Sequence, residues 1–158
     1  MKNLGTFLLY IILPIALLGF LFWFGWGNIF NQKNDLAVKE VYGGDFGLIS
    51  KFSEPISKTF TIVNNGEDSE IIAKIYTDCR CLSVSVPIGG ESFGPFSVPV
   101  EENTKPLDIG IPAGGEMKIN LTFNHQETSR DDFLGEIFIE TLRAEEILAI
   151  PIKANIVQ

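Results

Sequence analysis

Two cysteines one residue apart, in Thr77-Asp78-Cys79-Arg80-Cys81-Leu82, are the side chains in this 158-residue chain that most invite a chemical reading. Four chemistries are open to them. As free thiols they behave as small hydrophobes and pack in a core. In an oxidising compartment they can join as a disulfide. Residues two apart in a strand, however, sit near the long limit of Cα separation with parallel side-chain vectors, so a bend at Arg80 would be required. As a redox pair they would draw on Arg80, whose charge lowers a thiol pKa, but no βαβ pattern of the thioredoxin kind surrounds them. As metal ligands, two thiolates and Asp78 fall short of the roughly four that zinc takes. The one histidine, His125, lies in a turn far along the chain.

Other chemistries find less. No Gly-x-Ser-x-Gly elbow occurs, and one histidine in a turn leaves a catalytic triad without its base. No glycine-rich loop precedes a helix in a way that would cradle phosphate. Asp131-Asp132 and Glu145-Glu146 read as solvated loop charges, since calcium wants more oxygens at set spacing. Asn120-Leu121-Thr122 spells a glycosylation sequon but falls in a strand pattern. The expectation is a protein that is not an enzyme, with no cofactor, no metal and no small-molecule substrate. A formal net charge of −8 argues against a nucleic-acid partner and against docking on anionic lipid heads.

The elements that must position the cysteines read as strands. Phe60 and Ile62 alternate with Thr59, Thr61 and Val63, and the run stops at Asn64-Asn65-Gly66, a strong turn signal. Ile71, Ala73 and Ile75 then share one face, with Ile72, Lys74 and Tyr76 on the other. Counting on from Ile71, Cys79 and Cys81 face inward if that strand continues unbroken. Ile119, Leu121 and Phe123 alternate with Lys118, Asn120, Thr122 and Asn124; Ile137 and Ile139 alternate with Glu136 and Glu140. A further strand runs from Ile147 to Ile152 and on through Ala154 and Ile156. About seven short strands in roughly 120 residues, with no sustained 3.6-residue period, indicate an all-β sandwich.

One stretch breaks this rhythm. Between Pro87 and Pro112 lie five of the eight prolines, together with Gly89, Gly90, Gly94 and Gly110. Loops longer than about 12–15 residues are uncommon and usually functional or disordered. Phe93, Phe96, Val98 and Val100 give the stretch apolar anchors. It reads either as a long excursion covering one sheet edge or as a partner-binding loop presenting Phe93 and Phe96.

Before the strands comes a different kind of sequence. From Leu4 to Trp26 no side chain is ionisable except the phenol of Tyr10. At about 1.5 Å per residue that run makes a helix of about 35 Å, enough to cross a bilayer core of roughly 30 Å. The organisation expected is a transmembrane anchor over 1–27, a polar linker over 28–35 and one domain over 36–158. A cleaved signal peptide is the rival reading, but its apolar part would span only about 7–15 residues and end in small residues. Here the run ends in aromatics, with Trp23 and Trp26 suited to the headgroup belt. Lys2 and the amino terminus put positive charge ahead of the span. The domain is then expected outside the cytoplasm, on a single-pass protein of the inner membrane.

The order of these segments resembles a known pattern. Phe46-Gly47-Leu48-Ile49, Phe60-Thr61-Ile62-Val63-Asn64-Asn65-Gly66, Cys79-Arg80-Cys81-Leu82, Pro112-Ala113-Gly114-Gly115-Glu116 and the strand to Phe123 are similar to the bacterial family catalogued as domain of unknown function 1573. The family's motifs are FG-x-I, F-x-hydrophobic-x-N-x-G, a CGCT-like motif and a PGE turn. The likeness covers roughly residues 40–157. Arg80 and Leu82 depart from the family's Gly and Thr, and the stretch after Ser85 is longer than usual. The resemblance implies an immunoglobulin-like sandwich related to Hydin and abnormal-spindle domains, non-enzymatic, exported and often membrane-tethered. The function expected is therefore a membrane-anchored interaction or accessory module for a protein complex of the envelope. The alternative is a thiol redox or metal-handling protein using Cys79 and Cys81.

Overall fold

The computed structural model describes residues 35–40, 43–99, 106–143 and 146–157. The span expected over 1–27, and the linker as far as residue 34, lie outside the described residues. Among the described residues no helix is long and apolar enough to cross a membrane.

Among the described residues ten strands follow one another: β1 (Leu36–Val38), β2 (Asp45–Ser50), β3 (Ile56–Asn64), β4 (Glu70–Thr77), β5 (Leu82–Ile88), β6 (Glu91–Phe96), β7 (Ile109–Ile111), β8 (Glu116–Phe123), β9 (Asp132–Thr141) and β10 (Leu148–Val157). One 3-10 turn, His125–Glu127, separates β8 from β9. The strands form two five-stranded sheets, ordered β1-β3-β8-β5-β6 and β2-β10-β9-β4-β7. The pairings are antiparallel except between β2 and β10.

Period-2 alternation builds the core. Met117, Ile119, Leu121 and Phe123 of β8 are buried, as are Phe133, Ile137 and Ile139 of β9 and Ile150, Ile152, Ala154 and Ile156 of β10. Together with Phe60, Ile62, Leu82, Val84 and Val86 they fill the space between the sheets. Each of these side chains larger than alanine contributes roughly 1.5–3 kcal/mol on burial. Phe123 is central: its ring stacks on Phe133 at 4.5 Å and meets Phe46 at 5.7 Å.

Three expectations require correction. The face assigned to Ile71, Ala73 and Ile75 fails at a register shift between Ile72 and Lys74, where β4 pairs with β9. The bulge swaps faces, so Ile72 is fully buried and Ile71 is only partly covered. The Pro/Gly-rich stretch is not one long loop. Its start completes β5, Gly89-Gly90 turns the chain back, β6 pairs with β5, and β7 pairs with β4. The stretch thus supplies the edge strand of each sheet on one side of the sandwich. These additions, with β1 and β2, take the strand count above seven.

Strand direction gives the sandwich two distinct ends. At one end the Asn65 N–H donates to the Asp35 carbonyl, and Asn64 and Gly114–Gly115 bridge the strands. At the other end Ile56 and Leu82 both pair with Phe123. The β3–β8 ladder from Val63 to Ile56 separates the two ends by about 23 Å at roughly 3.3 Å per residue.

Candidate functional site

Thr77 ends β4 in one sheet and Leu82 begins β5 in the other. The cysteines therefore do not lie on a strand; they occupy the corner by which the chain changes sheets. The Leu82 N–H donates to the Cys79 carbonyl at 3.1 Å, closing a four-residue turn around Arg80. That turn brings the Cα atoms of Cys79 and Cys81 to 5.1 Å, and the two sulfurs are joined as a disulfide.

Hydrogen bonds from several neighbouring segments hold this corner. The buried Thr77 hydroxyl donates to the Cys79 carbonyl at 2.8 Å and lies 3.3 Å from that of Leu82. The Ser97 hydroxyl donates to Leu82, and the Asn124 N–H donates to Cys81. Asp78 pairs with β9, its N–H donating to the Glu136 carbonyl and its carboxylate accepting the Glu136 N–H at 2.9 Å.

The two sulfurs differ in reach. Cys79 is half-buried, whereas Cys81 is 1% exposed and belongs to the core. An external thiolate would attack Cys79 and expel Cys81 as a thiolate into apolar surroundings, where that charge is disfavoured. The better leaving group is Cys79, whose sulfur accepts the Cys81 N–H at 3.1 Å. Expelling it needs attack on the buried sulfur. Burial therefore works against exchange.

His125 is fully buried at the same end of the sandwich. Its Nε2 lies 3.4 Å from the Ser53 hydroxyl, its ring meets the edge of Phe123, and its Nδ1 has no hydrogen-bond partner. The cysteines are oxidised, and among the described residues no group of three His, Cys, Asp or Glu side chains could hold a metal ion.

Phe93 and Phe96 both lie on β6, but they are not equivalent. Phe96 packs against the core, and Phe93 is 42% exposed on the edge strand. More exposed apolar side chains lie elsewhere: Leu48 on β2, Phe52 just after it, and Leu134 on β9. For Leu48 the cause is Gly47. Its φ of +66° and the Asp45 carboxylate accepting its N–H form a bulge in β2. Phe46 and Ile49 consequently both turn toward the core and Leu48 turns out.

No protein-family model matches the chain, and no curated protein matches it. Solved structures do. A protein of unknown function from Porphyromonas gingivalis W83 matches with a TM-score of 0.53 at 13% identity, over 81% of this chain and 51% of that one. A family 123 glycoside hydrolase from Clostridium perfringens matches with a TM-score of 0.50 at 6% identity, over 73% of this chain and 23% of that one. The VesB protease of Vibrio cholerae matches with a TM-score of 0.50 at 12% identity, over 85% of this chain and 35% of that one. This chain thus spans about half the length of the first and less of the others. At such identities the likeness shows the β-sandwich fold alone.

Proposed function

We propose that this protein is a membrane-tethered, immunoglobulin-like β-sandwich that binds another protein of the envelope and carries out no catalysis itself. The observation that carries the reading is apolar exposure. Leu48 is 75%, Phe52 83% and Leu134 71% exposed on a domain whose interior is otherwise well filled. Exposed apolar groups on one region of a stable domain mark interaction surfaces. Val157 extends the region, since it pairs with Ser50 beside Leu48. Phe93 supplies a second, smaller contact on the opposite edge. The family resemblance of the FG-x-I, N-x-G and Cys-x-Cys segments supports the same reading, and the charge ahead of the apolar N-terminal run supports an extracytoplasmic domain. A redox role is less well supported, because the accessible sulfur has the poorer leaving group behind it.

The test is site-specific photo-crosslinking at Leu48 and Phe52 in the full-length chain in membranes. A discrete adduct that weakens in a Leu48→Ser, Phe52→Ser double variant is expected. Absence of any adduct at both sites, with the protein folded, would overturn the reading. An export-dependent reporter fused after Gln158 should be active; activity of a cytoplasm-only reporter there would reverse the topology.

A further inference from the structure

The outer face of the sheet ordered β2-β10-β9-β4-β7 carries charge as well as apolar surface. We propose that it docks a basic, apolar segment of a protein partner, an inference that rests on the binding-module reading above. Strand register fixes the arrangement. Leu48 pairs with Asn155, which pairs with Asp132; Asp45 pairs with Lys153, which pairs with Leu134; Pro151 pairs with Glu136. Asp78 is held beside Glu136 by the two hydrogen bonds already described.

A cleft of about 500 Å³ opens among these residues, lined by Asp45, Asp78, Leu134, Glu136, Pro151 and Lys153. Gly44 sits at its rim, so close to β10 that a Cβ there would collide with the Pro151 carbonyl oxygen. Lys153 is already taken by Asp45 at 2.9 Å. Among the described residues, the exposed carboxylates of Asp78, Asp132 and Glu136 have no basic side chain within ion-pair distance. The face therefore sets carboxylates in excess beside outward-facing leucines.

Charge complementarity chooses the occupant. A second copy would bring the same carboxylates against these, on a chain of net charge −8, and anionic lipid would be repelled likewise. An arginine or lysine side chain satisfies both halves of the surface. Its aliphatic stem covers Leu134 and Pro151 while its head reaches Asp78 and Glu136. Apolar neighbours on the same segment would cover Leu48.

The test uses the full-length protein in a neutral detergent and a fluorescent peptide alternating arginine with leucine, read by anisotropy. Binding should weaken by at least about ten-fold in Glu136→Lys, weaken also in Leu134→Ser, and fall as salt rises to about 0.5 M. Both side chains are exposed, so both variants should fold. Glu67→Lys, which changes net charge equally at the Asn64 end, should change binding less than about two-fold. Equal weakening by Glu67→Lys, equally tight binding of a glutamate–leucine peptide, or full binding by Leu134→Ser would each overturn the proposal. A partner still crosslinked through Phe52 at full yield in Glu136→Lys would overturn it while leaving the binding-module reading standing.

Discussion

Glu40 shows how one side chain fastens a sheet edge. Its carboxylate accepts the Thr61 N–H and the Thr61 hydroxyl, both at 2.8 Å, and covers Thr61 on an otherwise outward face. The Thr61 N–H, first among the causes, holds the carboxyl below the usual glutamate range. The unfolded chain therefore takes up this proton at higher pH than the folded chain. The stabilisation is complete above the ordinary glutamate value and is lost as pH falls through the lowered folded one. Solvent screening limits it to under about 1 kcal/mol. Glu40→Gln should remove that part of the acid-side slope in urea unfolding measured from neutral to acidic pH; an unchanged slope would show that the contact does not persist in solution. The disulfide permits a second prediction. A loop of 15 residues is worth about 3 kcal/mol in chain entropy and shorter loops less, so replacing both cysteines by Ser should cost about 1–2 kcal/mol and leave the domain folded. Loss of folding would mean that the corner depends on the bond far more than its loop length implies.

Among the elements, the central strands carry stability and the edges limit association. Phe123→Ala should cost about 3–5 kcal/mol, because its ring meets Phe46, Phe133 and His125 at once. Lys74→Ala, exposed on the outer face of β4, should cost under about 0.5 kcal/mol. Equal effects in chemical denaturation would mean the register is wrong. The alternation of β8, β9 and β10 could be read from sequence because each side chain there obeys a strict period of two. The faces of β2 and β4 could not, because one inserted residue in each inverts the pattern after it. Strands β6 and β7 were hidden by Pro95, Gly94 and Gly110, residues that signal loops in isolation but are tolerated on edges. The cysteine corner depended on where β4 stops. That point is set by the crossing between sheets, which no local pattern records. Leu48 faces outward because of the β2 bulge.

At the scale of the whole domain, the sheet edges limit strand addition. β1 and β7 have three residues each, β2 is bulged at Gly47, and the β5–β6 pairing shifts register between Val84 and Val86. Short and irregular edges resist the addition of a further strand. A chain from Asp35 to Gln158 should therefore sediment as a monomer with a β-rich circular dichroism spectrum; a strand-paired dimer would show that an edge remains open. The two ends of the sandwich have a mechanical consequence. The chain enters the domain at Asp35 and runs directly into β1, antiparallel to β3, while the disulfide corner lies at the far end of the same ladder. A force applied to the backbone at Asp35 and directed away from the far end runs along the strands. The β1–β3 hydrogen bonds are then loaded together in shear instead of opening one at a time like a zipper, so even a three-residue strand can serve as an attachment point under tension.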